Sequence, residues 1–337
     1  MNQYVVHVVG GPEVIHREEV PTPEPAPGEV RVRVRAVALA YGDLMRRRGF
    51  VPVPTPFVLG HDCVGTVDAV GEGVETPRVG DPVIGIPLMG AYGDFVCFPA
   101  YKTVVLPPAC RDLDPAALAA LPIGYVAAYK MLHRVAGVRA GERILVHAAA
   151  GGVGTAMLDL GRVAGLEMVG TASPAKMEVV ADLGATAIDY RFADFAYQAR
   201  RVAPEGFDAV FDPVGGFEHW EQSWSLLRPG GRLVCYGFIG PSEGGDAGGA
   251  ARAFTDAHES VAKLAARDPG REVLWSQMDA NNRFDEIAED LGALLGLLAD
   301  GKIAPLIAER IPMAQVAGAH ARFERGDVVG KIVLVNE

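Results

Sequence analysis

The chain has 337 residues, 50% hydrophobic and 22% charged, enough apolar material for two ordinary domains with substantial cores. That excludes a disordered chain and a small disulfide-stapled one. A formal net charge of −11 argues against a surface built for nucleic acid or an anionic membrane, since both need net cationic patches.

In chain order, the first third reads as β structure. Met1–Val9 lacks the cationic start and long apolar run of a signal peptide. Val30-Arg31-Val32-Arg33-Val34-Arg35 alternates strictly, placing valines on one face and arginines on the other, the pattern of a half-buried strand. Arg46-Arg47-Arg48 is a short basic run and reads as a solvated turn. Further strands are expected at Gly65–Val70, Pro82–Gly85, Phe95–Phe98 and Thr103–Leu106, separated by Gly/Pro clusters that mark turns. Strands at this spacing predict a barrel or sandwich.

From Asp114 the texture changes. Pro115–Leu121 and Val126–Val135 read as helices, and strands then alternate with helices: Arg143–Ala148, helix Val153–Ala164, Glu167–Thr171, helix Ala175–Leu183, Ala185–Tyr190. Phe207–Asp212, helix Phe217–Leu227 and Arg232–Gly237 continue the series, the last after a Pro229-Gly230-Gly231 turn. Such alternation predicts a parallel sheet covered by helices on both faces, an α/β class. Gly240–Ala251 reads as a loop, Phe284–Ala299 as an amphipathic helix and Lys331–Val335 as a closing strand. The four cysteines, Cys63, Cys97, Cys110 and Cys235, form neither a metal-ligand spacing nor a disulfide framework. They fit a reducing compartment, so a cytoplasmic location is expected. No apolar run reaches the roughly 18–20 residues of a membrane span, so neither membrane nor nucleic acid is an expected partner.

The most informative segment is Ile144–Gly154. It comes after a predicted strand and opens a predicted helix, and Ala149-x-Gly151-x-x-Gly154 is a variant of the dinucleotide fingerprint. Gly151 lets backbone approach a pyrophosphate, Gly154 lets the helix pack on the sheet, and Gly152 and Val153 present N–H groups at the positive helix end. An NAD-selective site carries an acid about 20 residues further on, to hold the ribose hydroxyls. Here that window reads Thr171-Ala172-Ser173-Pro174-Ala175-Lys176. A hydroxyl at Ser173 and a cation at Lys176 suit a 2′-phosphate, with Tyr190 and Arg191 at the end of the next strand, so NADP(H) is the expected cofactor; the alternative reading of Lys176 is the exposed start of a helix.

Several further segments, in order, carry a resemblance. They are Pro21–Gly28, Asp43, Gly60-His61-Asp62-Cys63-Val64-Gly65, Val79–Val83, Gly90–Val96, Ala148–Gly154, Phe211–Gly216 and Gly330–Leu334. Together they make the chain similar to the medium-chain dehydrogenase/reductases of the zinc-independent quinone oxidoreductase type. The resemblance implies a GroES-like barrel domain, expected over 1–120 and 300–337, and a Rossmann domain over 121–299. It also implies a cofactor cleft and a homodimer, to which Leu291–Leu298 and Gly230–Gly237 are candidate contributors. Relatives that bind catalytic zinc use a Cys where this chain has Ala40, the His of a Gly-His-Glu motif, and a third ligand near Leu121–Ile123, where no Cys, Asp or Glu stands. His61 alone does not assemble a tetrahedral site, so no metal is expected. His61 is then either a hydrogen-bonded histidine in a glycine turn or a polar group lining the substrate cleft.

Without a Lewis acid, polarising a simple ketone is hard, whereas reducing a quinone or a C=C conjugated to a carbonyl needs only hydrogen-bond donors and a proton. The resemblance implies the same chemistry: an NADPH-dependent quinone or enoyl reductase acting on a small molecule. This chain departs from its relatives where Ala40, Val51 and Ala127 replace polar residues, leaving Tyr41, Asp43 and Tyr92 as catalytic candidates. Tyr41 and Tyr92 are either hydroxyl donors or packed barrel tyrosines, while Asp43 is either catalytic or a structural acceptor of backbone N–H groups. Gly237, Phe238 and Ile239 are expected to bring backbone to the nicotinamide. Asn281 and Arg283 are candidate substrate contacts, or else an ordinary polar loop. Two other functions stay open at this point, a zinc-type alcohol dehydrogenase and a non-catalytic NADPH-binding protein of the same fold.

Overall fold

A computed structural model describes residues 1–192, 194–239 and 248–336. In chain order the first strands are β1 (Asn2–Val6), β2 (Ile15–Glu19), β3 (Glu29–Ala38), β4 (Phe57–Val58), β5 (Cys63–Val70), β6 (Pro82–Gly85), β7 (Phe95–Pro99) and β8 (Thr103–Val105). The later ones are β9 (Arg143–Val146), β10 (Glu167–Ala172), β11 (Thr186–Asp189), β12 (Phe207–Asp212), β13 (Leu227–Cys235), β14 (Glu272–Trp275), β15 (Ile307–Pro312) and β16 (Lys331–Val335). The chain divides into two compact units, Met1–Val126 with Asp279–Glu337, and Ala127–Met278.

The first unit is built around β3. Val30, Val32 and Val34 point inward and are buried, while Arg33 and Arg35 on the other face are exposed, as the alternation predicts. β3 pairs with β5 along one edge, and with β7 and β16 end to end along the other. The sheet runs β15-β16-β3-β5-β6-β8, and a second, three-stranded sheet runs β2-β1-β4. On the outer face Arg31 and Arg33 both reach the Asp68 carboxylate, at 2.8 and 3.1 Å. β1, β2 and the parallel pair β15–β16 include strands that local sequence pattern does not reveal; of these four only β16 is expected from its apolar run.

Arg46-Arg47-Arg48 is not the solvated turn it resembles. Arg46 and Arg47 form the last turn of a helix, Tyr41–Arg47. Arg47 is wholly buried and ion-paired with Glu324 on the helix Val316–Glu324.

The second unit carries a six-stranded parallel sheet in the order β11-β10-β9-β12-β13-β14. Numbered within the unit this is 3-2-1-4-5-6, the doubly wound dinucleotide-binding order. Its central strands read as continuous apolar runs because both faces are covered; Ile144, Leu145 and Val146 are fully buried, as are Val210 and Phe211. The Pro229-Gly230-Gly231 segment, expected as a turn before a strand, lies within β13, with a register irregularity against β12. Part of the expected loop Gly240–Ala251 falls outside the described residues. Its end belongs to a helix, Ala250–Ala265.

Three expectations need correction. Pro115–Val135 is one helical run, with wide turns at Leu121–Tyr125 and Lys130–Val135; in the first, Pro122 lacks the N–H that a regular turn requires. By length and composition this run could cross a membrane, against the expected absence of such a segment, but 67% of its most apolar window is buried inside the protein, as in a core helix. The helix Phe284–Ala299, assigned to the Rossmann domain by sequence, packs in the first unit against Pro108–Cys110 and Leu121–Tyr125. Its Leu291, Leu294 and Leu295 are buried there, while Gly292, Ala293 and Gly296 are exposed and Leu297 and Leu298 half-buried.

Removing Leu145 side-chain volume from the centre of the parallel sheet tests this core. Leu145→Ala is expected to cost about 2–5 kcal/mol through the cavity it leaves, read as a lowered urea midpoint, while Arg35→Ala on the exposed face of β3 should change it little.

Candidate active site

In the first unit the polar groups converge on Asp43. The helix Tyr41–Arg47 starts after Ala40, and the Asp43 carboxylate turns back to accept the Ala40 N–H at 3.2 Å, a capping contact that fixes the helix start. The same carboxylate accepts the Gly60 N–H at 3.0 Å, His61 Nδ1–H at 2.8 Å and the Tyr92 hydroxyl at 3.2 Å. Burial alone would raise its pKa, but the field and hydrogen bond of His61, helped by His320 and the Gly60 N–H, hold it well below the usual carboxylate range. Asp43 is therefore held as an anion and accepts two backbone N–H groups, the contacts the structural-acceptor reading expects.

Tyr92 is completely buried. Its hydroxyl lies 3.2 Å from both Asp43 Oδ2 and His320 Nε2, and burial next to Asp43 drives its pKa far above the ordinary phenol value. It offers no surface to a substrate. Tyr41 is partly exposed, with its ring 6.4 Å from that of Phe323.

His61 keeps its ring edge at the surface of the cluster. With Nδ1–H given to Asp43, Nε2 is the lone-pair nitrogen, and the guanidinium of Arg46 lies directly on it. Asn281 and Arg283 belong elsewhere in the unit: Asn281 Oδ1 accepts from Lys102 Nζ at 2.6 Å, and Arg283 pairs with Glu286 at the start of a helix. Among the described residues neither hydrogen-bonds to Asp43, His61 or Tyr92. They are not brought to this cluster.

In the second unit the predicted cofactor residues line up along the carboxyl ends of the strands. After β9 the chain turns at Ala148, whose φ is +51°; Ala149 N–H bonds to Thr171 O at 3.0 Å and Gly151 N–H to Ala148 O at 2.9 Å. The helix Gly152–Val163 begins there, and its first N–H groups have no carbonyl within the helix to accept them. A Cβ on Gly154 would run into the Ala148 carbonyl and the Ala149 backbone, so only glycine lets helix and turn meet this closely. Free N–H groups at a helix start, on a turn of small alanine and glycine residues, fit a dinucleotide pyrophosphate.

Ser173 and Lys176 come directly after β10, and Tyr190 after β11, whose Asp189 is in register with Ala172. Arg191 stands 5.7 Å over the Tyr190 ring. Gly237 and Ile239 approach the loop after β12, with Ile239 N–H on Pro213 O at 3.0 Å. The Phe238 ring turns inward and packs 4.8 Å from Phe254, leaving only its backbone for a ligand.

Beneath this edge lies a cluster that sequence pattern does not reveal. His147 Nδ1 is 3.2 Å from Thr171 Oγ1, its Nε2 is 3.1 Å from Ser223 Oγ, and Ser223 donates to Asp212 Oδ2 at 2.6 Å. His219 Nε2 is 3.2 Å from the same oxygen. His147, Asp212 and His219 are close enough to share a metal ion, although Asp212 and His147 are sealed from solvent and already bonded. Burial lowers the pKa of His147 to about 4. The only hint in the sequence is that His147 and Asp212 each stand at a strand end, next to a glycine-bearing turn.

Comparison with known proteins agrees with this geometry. Residues 26–108 match the family model of the alcohol dehydrogenase GroES-like domain, and residues 183–334 that of zinc-binding dehydrogenases. The chain is 34% identical over 306 residues to a synaptic vesicle membrane protein VAT-1 homolog of Danio rerio, covering 89% of this chain and 62% of that protein. It is 32% identical to a 2-haloacrylate reductase of Burkholderia, over 98% of both chains. Among solved structures it resembles a quinone oxidoreductase from Coxiella burnetii (TM-score 0.84, 26% identity, 100% and 99% of the chains). It also resembles the CurK enoyl reductase (0.83, 28%, 99% and 98%) and a mycobacterial protein complexed with NADPH (0.84, 28%, all of both chains). The fold is thus a parallel-sheet α/β unit joined in sequence to a GroES-like domain. The chain belongs to the medium-chain dehydrogenase/reductase superfamily, in its quinone and enoyl reductase type.

The buried charges and histidines are open to measurement. Glu324→Ala strands the buried Arg47 cation and should cost about 3–5 kcal/mol, whereas Arg47→Met should cost clearly less, both read by denaturant unfolding. His147 and His320 are both depressed from 6.5 to about 4 by burial. Their contribution is therefore present above 6.5 and lost as pH falls through 4. The urea midpoint should drop across that window, and less steeply in His147→Gln and His320→Gln.

Proposed function

We propose that the protein is an NADPH-dependent reductase that uses no zinc and whose acceptor is a quinone or a C=C conjugated to a carbonyl. The observation that carries the reading is the Ala149–Gly154 turn, with its exposed helix start, at the central strand of a 3-2-1-4-5-6 sheet. A bound nicotinamide supplies the hydride. The N–H groups of Gly152 and Val153 would hold its pyrophosphate, and Gly237 and Ile239 would offer backbone to the rest of the cofactor.

The residues just beyond β10 and β11 support a preference for the phosphorylated cofactor. No acid stands at the ribose position. Ser173, Lys176, Tyr190 and Arg191 form a hydroxyl- and cation-bearing edge suited to a 2′-phosphate. The related structure that holds NADPH supports the same choice.

Two features of the first unit favour a zinc-free reaction. Ala40 offers no thiolate, and His61 Nε2, the lone-pair nitrogen beside it in the cluster, faces the Arg46 guanidinium. An acceptor that develops negative charge on oxygen then relies on hydrogen-bond donors. Asp43 is fully engaged and Tyr92 is buried, so neither exchanges a proton with the acceptor. Water, or the partly exposed Tyr41 hydroxyl, supplies it. The reduction of quinones, enoyl groups and a haloacrylate named for related proteins supports this class of acceptor.

The test is cofactor oxidation monitored by absorbance, NADPH against NADH, with EDTA present and a panel of quinones, enones and enoyl thioesters. NADPH-dependent turnover with EDTA is the expected result. Activity that appears only with added zinc, on alcohols or ketones, overturns it; tight NADPH binding without turnover of any acceptor points to a binding protein. Lys176→Met should raise the KM for NADPH by about tenfold, the worth of one charge-assisted contact, with a much smaller effect on NADH.

A further inference from the structure

The two arginines at the end of the helix Tyr41–Arg47 have different surroundings. Arg47 is sealed in and neutralised by Glu324. Arg46 is only part-buried, and among the described residues no carboxylate lies within ion-pair distance of it. Asp43 acts on it through space, but the Asp43 oxygens are taken by Ala40, Gly60, His61 and Tyr92. One guanidinium nitrogen, Nη1, donates to His61 Nε2. The rest of its five N–H donors meet no acceptor among the described residues.

The floor beside this pair is Gly42. A Cβ there would lie 2.7 Å from His61 Nε2 and 3.3 Å from Arg46 Nη1, so any side chain would crowd the approach to both groups. The arrangement is a part-buried cation, held by a histidine that is itself held by Asp43, with planar donors unspent. Burial lowers the Arg46 pKa and the nearby Asp43 charge raises it, so the charge is partly balanced through space while the donors themselves remain to be met. A guanidinium fork matches a carboxylate in both charge and shape. One cation calls for one negative charge, which fits a carboxylate better than a doubly charged phosphate. A neutral quinone would leave the cation unmatched.

We propose that Arg46 is the acceptor-recognising group and that the preferred acceptor is an α,β-unsaturated carboxylate, its carboxylate seated on the Arg46 fork above Gly42. This rests on the reductase reading of the protein. In the reaction the C=C takes a hydride at the β-carbon and a proton from water at the α-carbon. The π electrons pass through the α-carbon and carboxylate oxygens, where Arg46 stabilises the added charge, and NADPH is oxidised to NADP+. The product is the saturated acid.

The experiment pairs acids with their neutral counterparts: crotonate and cinnamate against their methyl esters, with cyclohexenone and a benzoquinone alongside. kcat/KM is measured on the full chain with NADPH for wild type, Arg46→Lys and Arg46→Met. Binding of 3-phenylpropanoate, a saturated product, is measured separately by calorimetry. Wild type should favour each acid over its ester. Arg46→Met should cut that acid-to-ester ratio by at least about tenfold, the loss expected of one charge-assisted contact, and Arg46→Lys should cut it less. Binding of 3-phenylpropanoate should weaken in the same order, with thermal unfolding confirming that the variants fold. Esters, enones or quinones reduced as well as acids, with a ratio that ignores Arg46, overturn the proposal and leave the reductase reading intact. If no acceptor is reduced, the reductase reading fails. Calorimetry then decides the site alone: Arg46-dependent binding of the acid supports it, and absence of binding to wild type overturns it.

Discussion

A fully buried carboxylate organises the first unit. Removing Asp43 from water is costly, and such a charge survives only where donors surround it. The donors come from separate stretches of chain: the Ala40 N–H before the helix, the Gly60 N–H and His61 ring from the glycine turn, and the Tyr92 hydroxyl. Because each is needed, the carboxylate sets where each segment can lie. Gly60 sits at φ +101°, and a Cβ there would be 2.8 Å from Tyr92 Cδ1, so the turn that delivers its N–H to Asp43 depends on glycine. Tyr92 passes the constraint to His320 and hence to the helix that carries Glu324, the partner of Arg47. The orientation of His61 is the final product of this chain of contacts.

The second unit repeats the device at its own strand ends. Asp212, the last residue of β12, receives Ser223 and the Val214 N–H, and shares Ser223 with His147. These contacts brace the glycine-bearing loops after β9 and β12. The bracing matters at Ala148, a side-chain-bearing residue at φ +51°, where the left-handed conformation costs about 1–2 kcal/mol. His147 N–H on Phe211 O and Ala149 N–H on Thr171 O clamp it on either side. The strained residue supports the turn, and the turn presents the helix start.

Local periodicity encodes the part of the fold that is legible in the sequence. The Val/Arg alternation of β3 and the strand–helix rhythm after Asp114 report directly on which faces are buried, and the glycines of the β9 turn report on close approach. The hidden part depends on partners distant in the chain. Nothing local separates Arg47 from Arg46, because the partner that buries Arg47 lies 277 residues away. The leucines of Phe284–Ala299 look the same whether they face a neighbouring copy or the first unit's own core. Tyr92 reads equally as a packed barrel tyrosine or as a hydroxyl facing substrate until its burial is known. β15 carries exposed residues at every second position, which weakens its apolar signal, and Pro229-Gly230-Gly231 mimics a turn although it forms part of β13.

The meeting of Arg46 and His61 also bears on which chemistry suits the first unit. A metal ion on His61 Nε2 would act as a Lewis acid, able to acidify a bound alcohol and polarise a plain ketone. A guanidinium on the same nitrogen has no empty orbital to offer and remains protonated throughout. It can receive charge on oxygen through hydrogen bonds, but it cannot generate an alkoxide. Under the proposed function, Ala40, which offers no thiolate, and the Arg46 guanidinium on His61 therefore act in one direction, favouring the stabilisation of a developing oxyanion over the generation of an alkoxide.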